Sequence, residues 1–224
     1  IICSIEEGDV VNPSLREDEA LAHWDMDVTM NMGLTAEKLF DATPFTRADL
    51  DGWAVRSHEL AAQAQAEGFF KGEILPVQAM QADGQLMLVD RDQCIRAGTD
   101  LATLSGLKTP FKENGVITAA NASPLNAGAS AMLLMTRKEA EARGIRPLGA
   151  IRSMGLAGVD PTLMGNAPVP AARKALAKCG LSSEDMAFWE INEAFAVVVL
   201  NMMADLDIDP NLVNVKGGAL ALGH

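Results

Sequence analysis

The clearest pattern of apolar and polar positions lies between residues 44 and 68, and it predicts a long helix. Pro44 precedes the segment, Thr46 is suited to cap the first turn, and Asp49 stands three residues later as a capping-box partner. Apolar residues then recur at helical spacing, at Leu50, Trp53, Ala54, Leu60 and Ala61. Gly68 marks the end of the helix, because glycine readily adopts the left-handed conformation that follows a last turn.

The rest of the first half predicts further helices and one hairpin. A helix is expected from about Thr35, with Thr35 and Glu37 near its N-terminus. Two short strands are expected around residues 73–80 and 84–90, separated by the turn sequence QADG. A short helix follows Asp100 and leads into a loop that contains Pro110 and Gly115.

From residue 128 onward the pattern predicts strands and helices in strict alternation. Strands are expected at 128–136, 148–158 and 186–192, and helices at 137–144, 168–180 and 193–206. Residues 212–224 predict a strand, a Gly-Gly turn and the start of a further helix. Such alternation is typical of an α/β fold, in which helices cover the faces of a mostly buried sheet.

Composition and charge narrow the range of functions. The net charge of −12 argues against a nucleic-acid partner, because phosphate binding requires a basic surface. No apolar run reaches the roughly 18 residues that a membrane-spanning helix needs, so no such helix is expected. The cysteines at 3, 94 and 179 lack metal-binding spacing, which predicts no metal site and suits a reducing cytoplasm.

Two polar residues stand where predicted strands meet helices. Asn192 follows the strand at 186–192, and its amide is suited either to hold a water or substrate oxygen or to cap the next helix. His224 follows the turn at Gly217 and Gly218, and histidine is the usual group that activates a nucleophile near neutral pH. A hydrogen-bonded histidine without catalytic function is the alternative.

A series of ordered motifs carries a resemblance to a known family. "NEAFA" followed by "GGALALGH" resembles the C-terminal half of the thiolases. Earlier stretches fit the same family in the same order, namely MGLTAE, AVRSHELAAQAQAEGFFKGEILPV, GVITAANAS, GASAMLLM and VDPTLMGNAPVPA. The stretches MNMGLTAE and LLM look most like the bacterial branch that degrades fatty acids.

The resemblance implies a layered αβαβα fold and an acyltransferase activity. Thiolases cleave a 3-oxoacyl-CoA with free coenzyme A, through an acyl-cysteine, to acetyl-CoA and a shortened acyl-CoA. Coenzyme A is then a substrate, and no cofactor is expected. The resemblance implies a homodimer or homotetramer, and it leaves membership of a multienzyme β-oxidation complex open. Two alternatives stay open: biosynthetic condensation of acetyl-CoA, and a non-catalytic acyl-CoA-binding protein on the same fold.

The family's roles transfer to matching positions of this sequence. His224 matches the histidine that activates the nucleophile, and Asn192 matches the asparagine that holds a water. For coenzyme A, the resemblance places Arg96 at the adenine–phosphate end, Phe111 near the adenine and Ser123 at the pantetheine. It also places Met164 and Phe195 along the pantetheine and acyl tunnel. The alternatives are a solvated surface charge for Arg96 and core positions for Phe111, Met164 and Phe195.

Both catalytic cysteines of the family are expected to lie outside this chain. Cys3, Cys94 and Cys179 lack the required context, so each is expected to be non-catalytic. The chain starts without Met and stops at His224, so we expect an internal fragment. Because both catalytic cysteines are expected to lie outside it, we expect this fragment to be inactive. The expected fold is therefore incomplete, with a mostly helical coenzyme A-binding loop domain at 1–115, the end of the N-terminal domain at 116–146 and the truncated first part of the C-terminal domain at 147–224.

Overall fold

The computed structural model describes residues 19–21, 23 and 25–224. Cys3 lies outside these residues. Helix α1 spans Met26–Met30, and helix α2 spans Met32–Asp41. Helix α2 therefore begins three residues before Thr35, contrary to the prediction. The reason is that Asn31 is the N-cap, with its side-chain oxygen accepting from Gly33 and Leu34, whereas Thr35 donates to the Met32 carbonyl within the helix.

The long predicted helix is confirmed as α3, Arg47–Ala66, with the capping box of Thr46 and Asp49. Its apolar stripe is buried at Leu50, Trp53, Ala54 and Ala61. The same helix also buries Asp51, Ser57 and His58, which the apolar pattern alone does not indicate. Helix α3 therefore contributes both apolar packing and a set of interior hydrogen-bonding groups.

The hairpin is confirmed with shorter strands than predicted. Strand β1 spans Val77–Met80 and pairs antiparallel with β2, Leu86–Val89, in the register Val77↔Val89. Gly84 turns the chain with a φ of +82°. The short helix α4, Leu101–Ser105, follows with Asp100 as its N-cap. Short 3-10 helices lie at Glu19–Leu21, Phe69–Gly72, Pro161–Asn166, Ser183–Asp185 and Pro210–Leu212.

The helices predicted after residue 128 form, namely α5 at Arg137–Ala142, α6 at Pro168–Cys179, α7 at Ala196–Leu206 and α8 at Ala219–Leu222. The buried strands predicted at 128–136 and 148–158 are wrong. Met132 and Leu133 are 85% and 79% exposed, and within residues 25–224 no strand pairs with either segment. A strand needs hydrogen bonds from a neighbour, which apolar composition cannot supply.

Side chains of α6 bind the second of these segments in place of a partner strand. Lys178 and Lys174 donate to the carbonyls of Met154 and Leu156, at 2.6 Å and 3.0 Å. The hydroxyl of Ser153 donates to a carbonyl of α6 at 2.7 Å.

The strand predicted at 186–192 is reduced to one parallel bridge between Trp189 and Val213. Helix α7 starts at Ala196 rather than at Glu193, so the prediction that Glu193 opens the helix is also wrong. The side chain of Glu193 is fully buried and accepts hydrogen bonds from other elements.

The core centres on α7, whose Val197 and Val199 are fully buried. Helices α2, α3 and α6 pack around it. A buried carboxylate joins α2 to the following chain, because Glu37 accepts from the backbone N–H groups of Val116 and Ile117 at 2.9 Å and 2.8 Å. Among the described helices, none combines the length and apolar character needed to cross a membrane.

Candidate active site

Backbone hydrogen bonds place Ser123 beside Phe195. The N–H of Ser123 donates to the Ala194 carbonyl at 3.0 Å, and the N–H of Ala196 donates to the Asn121 carbonyl at 2.8 Å. Residues 122 and 195 form an antiparallel bridge between these two bonds. Two of the predicted coenzyme A-binding residues therefore lie on adjoining segments.

Asn192 lies on a turn that we call the asparagine turn, residues 190–195. Asn192 is exposed, while Ile191 and Glu193 on either side are buried. The buried side chain of Asn214 accepts from the Ile191 N–H and donates to the Ile191 carbonyl, both at 2.8 Å. The N-cap of α7 is Phe195, without a side-chain bond, so the alternative that Asn192 caps this helix is wrong.

His224 ends a segment that we call the histidine turn, residues 217–224. Gly217 and Gly223 flank the single turn of α8 and have left-handed φ angles of +81° and +109°. The side chain of His224, which follows Gly223, is exposed. The amide of Asn126 donates to the Leu222 carbonyl at 3.1 Å, and a Cβ on Gly223 would lie 2.5 Å from that amide. The histidine turn is therefore fixed against the segment that carries Ser123.

The carboxylate of Glu193 joins the two turns, a role that the pattern of the sequence does not indicate. Both oxygens are buried and each accepts two hydrogen bonds, from Trp53, Ser57, Asn214 and the Leu220 N–H, at 2.7–3.0 Å. Burying a carboxylate is costly unless it is hydrogen-bonded, and four donors meet that requirement. One signal in the sequence points to such a group. Ser57 is polar yet stands four residues after Trp53, on the buried side of a helix, where it needs a hydrogen-bond partner.

Helix α3 supports every segment of this site. Trp53 and Ser57 bind Glu193, and Asp51 accepts from the buried amide of Asn121 at 3.0 Å. The imidazole of His58 accepts from the Arg96 N–H through Nδ1 at 3.1 Å. One helix thus contacts the asparagine turn, the histidine turn, the segment 121–126 that carries Ser123, and the loop 90–100 that carries Arg96.

The remaining predicted residues occupy other places. The side chain of Arg96 is exposed. Phe111 packs over Gly33 of α2, where an added Cβ would lie 2.2 Å from its ring, and Met164 lies in the 3-10 turn that packs on α2. Phe111 and Met164 are 37% and 47% exposed, so their alternative assignment as core residues is wrong, whereas Phe195 packs partly buried against the core.

Two cysteines are described. Cys94 is half-buried and its sulfur accepts from the amide of Asn126 at 3.5 Å, and Cys179 is the last residue of α6. Within the described part of the chain, no group of three or more His, Cys, Asp or Glu side chains could hold a metal ion.

The buried His58 has a pKa below its ordinary value of 6.5, because burial and then the charge of Arg96 disfavour the imidazolium, while Glu193 partly opposes them. The folded chain therefore binds this proton less tightly than the unfolded chain. Its contribution to stability is complete above about pH 6.5 and is lost as the pH falls through the lower folded-state pKa.

We expect His58→Asn to flatten part of this pH dependence, since the asparagine amide oxygen can replace Nδ1 without titrating. Urea unfolding of the unaltered protein and of His58→Asn, between about pH 7 and about pH 5, would measure the pH dependence of the free energy of unfolding of each. An unchanged difference in unfolding free energy between the two proteins across that range would contradict the prediction.

Known proteins resemble this chain over most of its length. The family model "Thiolase, N-terminal domain" matches residues 6–138, and "Thiolase, C-terminal domain" matches residues 145–224. A 3-ketoacyl-CoA thiolase of Marinobacter nauticus is 46% identical over 197 residues, which are 86% of this chain and 50% of the relative. An acetyl-CoA acetyltransferase of Paracoccus denitrificans is 44% identical over 201 residues, which are 90% of this chain and 51% of the relative.

A solved structure shares the fold as well as the sequence. The Bacillus anthracis acetyl-CoA acetyltransferase superposes with a TM-score of 0.82 at 41% identity, covering 86% of this chain and 49% of that one. The chain thus spans about half the length of the curated relatives and the solved structure that it matches.

Proposed function

The chain belongs to the thiolase family, and from this premise we propose that the protein carrying it cleaves a 3-oxoacyl-CoA with coenzyme A. The expected thiolase-like α/β fold is confirmed by the superposition on the Bacillus anthracis enzyme. The products are acetyl-CoA and an acyl-CoA shortened by the acetyl unit. Relatives named 3-ketoacyl-CoA thiolase support a place in fatty-acid β-oxidation.

The proposed chemistry runs in two half-reactions. A cysteine thiolate attacks the 3-keto carbon, the bond to the α-carbon breaks, and acetyl-CoA leaves as its enolate, which takes a proton from the family's second cysteine. Coenzyme A then gives its thiol proton to that cysteine and attacks the acyl-cysteine thioester, and the acyl-CoA departs as the first thiolate is restored. His224 accepts the thiol proton in the first step, and with the water held by Asn192 it stabilises the thioester oxygen.

One observation carries this proposal: the chain segments that bear the predicted site residues contact one another. These residues are Asn192, His224, Ser123 and Phe195. An exposed imidazole and an exposed amide lie on turns joined by one buried carboxylate. The test is an assay of the whole protein that contains this chain, with acetoacetyl-CoA and with a long-chain 3-oxoacyl-CoA as substrates. Thiolysis of either supports the proposal, and binding without turnover favours the alternative of a non-catalytic acyl-CoA-binding protein.

Biosynthetic condensation of two acetyl-CoA molecules is the second candidate. The names of the Paracoccus denitrificans relative and the Bacillus anthracis structure, both acetyl-CoA acetyltransferases, favour it. The same residues would serve both directions, because the reaction is reversible through the same acyl-cysteine. A preference for acetoacetyl-CoA over the long-chain substrate would support the biosynthetic assignment.

Further features of the whole protein are part of the proposal. Coenzyme A acts as substrate rather than cofactor, the protein is a cytoplasmic homodimer or homotetramer, and none of Cys3, Cys94 and Cys179 is the nucleophile. We accordingly expect the 224-residue chain by itself to be inactive. Purified chain with acetoacetyl-CoA and coenzyme A should give no turnover above background, and a clear thiolysis rate would contradict this assignment.

Arg96→Ala is expected to raise the KM for the coenzyme A substrate about tenfold, because a guanidinium–phosphate contact is charge-assisted. The value of kcat should stay near that of the unaltered protein, since the contact lies far from the reacting carbon. The matched control is Arg91→Ala, an exposed arginine on the same loop, which should leave KM unchanged. Equal KM values for the two variants would assign Arg96 as a solvated surface charge.

A further inference from the structure

The two turns of the candidate site meet at one buried side chain. Oε1 of Glu193 accepts from Trp53 at 2.9 Å and from Asn214 at 2.8 Å. Oε2 accepts from Ser57 at 2.7 Å and from the backbone N–H of Leu220 at 3.0 Å. Glu193 has no exposed surface, so its carboxylate is occupied by the protein itself.

These donors connect different parts of the site. Leu220 belongs to the histidine turn, four residues before His224. Asn214 binds Glu193 with the same side-chain nitrogen that donates to the Ile191 carbonyl, so the backbone is held on both sides of Asn192. A displacement of the carboxylate would therefore move Asn192 and the histidine turn relative to each other.

Close packing fixes the separation of the two turns. A Cβ placed on Gly218 would lie 2.3 Å from the carboxylate carbon of Glu193, so the glycine backbone lies directly against this group. The hydroxyl of Ser57 also accepts from the Gly218 N–H at 3.0 Å while it donates to Glu193. The contact has no room for a longer side chain or an intervening water.

We propose that Glu193 is a positioning residue that holds Asn192 and His224 in the relative arrangement needed for acyl transfer, an inference that rests on the proposed function. Glu193 touches neither substrate nor reacting atoms. Its effect passes through the backbone of the two turns, and a misplacement of about 1 Å at a reacting centre lowers rates by roughly 10²-fold.

The first test is Glu193→Gln in the protein that carries this chain. The amide nitrogen must face either Ser57 and Leu220 or Trp53 and Asn214, and each pair contains an N–H that cannot turn into an acceptor. The assay is run below the melting temperature of the variant, so that the variant is folded. We expect kcat to fall roughly 10²-fold, with little change in KM for the coenzyme A substrate.

The matched control is Glu37→Gln. Glu37 is likewise a buried carboxylate that accepts backbone N–H groups, from Val116 and Ile117. Its variant should keep kcat within about threefold of the unaltered protein. Equal losses of kcat in both variants, or no loss at Glu193→Gln, would overturn the inference.

A measurement independent of activity separates this inference from the proposed function. Amide hydrogen exchange should quicken at residues 191–196 and 218–223 together in Glu193→Gln, and at neither segment in Glu37→Gln. Coupled exchange in a protein without thiolase activity would leave the coupling intact and reject the proposed function. Exchange that quickens in only one turn would overturn the coupling.

If Glu193→Gln does not fold, two smaller variants decide the question. Ser57→Ala removes a hydroxyl that binds both Glu193 and the Gly218 N–H, on the side of the histidine turn. Trp53→Phe removes a donor from the opposite oxygen. We expect Ser57→Ala to lower kcat more than Trp53→Phe does, and the reverse order would contradict the inference.

Discussion

Replacing His224 by alanine is expected to lower kcat for thiolysis by roughly 10²–10⁴-fold, the range that general acid–base catalysis usually supplies. The imidazole is exposed at the end of the histidine turn and does not pack in the core, so the fold should survive its loss. Substrate binding should change little, because the coenzyme is proposed to bind through other residues. Steady-state kinetics with acetoacetyl-CoA would give both constants.

The matched control for this variant is His23→Ala, which removes the other exposed histidine of the described chain. It should keep kcat close to that of the unaltered protein. Retention of kcat within about threefold in His224→Ala would assign the histidine a non-catalytic place and reject the proposed mechanism.

Gly217→Ala is expected to lower the free energy of unfolding by about 2–5 kcal/mol. Two costs add: a left-handed backbone disfavours any side chain by about 1–2 kcal/mol, and overpacking costs about 1–3 kcal/mol. The new Cβ would lie 2.6 Å from both the Ser57 carbonyl and the Cβ of Ala61 on α3, so the histidine turn must move away from that helix. Activity should fall with stability, because His224 moves with the turn.

Gly84→Ala separates the two costs. Gly84 has nearly the same φ, +82° against +81°, but an added Cβ meets nothing within 4 Å. Its loss of stability should be about 1–2 kcal/mol, from the backbone conformation alone. Urea unfolding of both variants measures the difference, and equal losses would show that the contact of Gly217 with α3 contributes nothing.

Local signals in the sequence predicted the helices well. Thr46 with Asp49 and Pro168 with Gly180 mark helix ends through contacts within a few residues, so the chain itself contains the information. The strands at 128–136 and 148–158 were not predicted correctly, because pairing depends on a distant neighbour. Apolar composition signals burial without identifying the partner.

The site was predictable at its exposed residues and not at its interior ones. Asn192 and His224 stand beside junctions that the sequence marks with turn residues and a family resemblance. Glu193 binds Trp53 and Ser57 across 140 and 136 positions of the chain, and His58 binds the Arg96 backbone across 38. Such long-range pairs leave no local periodicity, so only the folded structure shows that α3 supports the site.

A crystal structure of the protein that carries this chain, with a bound coenzyme A thioester, tests most directly whether Asn192 and His224 form the acyl-transfer site. We expect the thioester oxygen within about 3 Å of the His224 imidazole, with the pantetheine along Ser123 and Phe195 and a water on Asn192. A thioester bound away from the asparagine and histidine turns would contradict it.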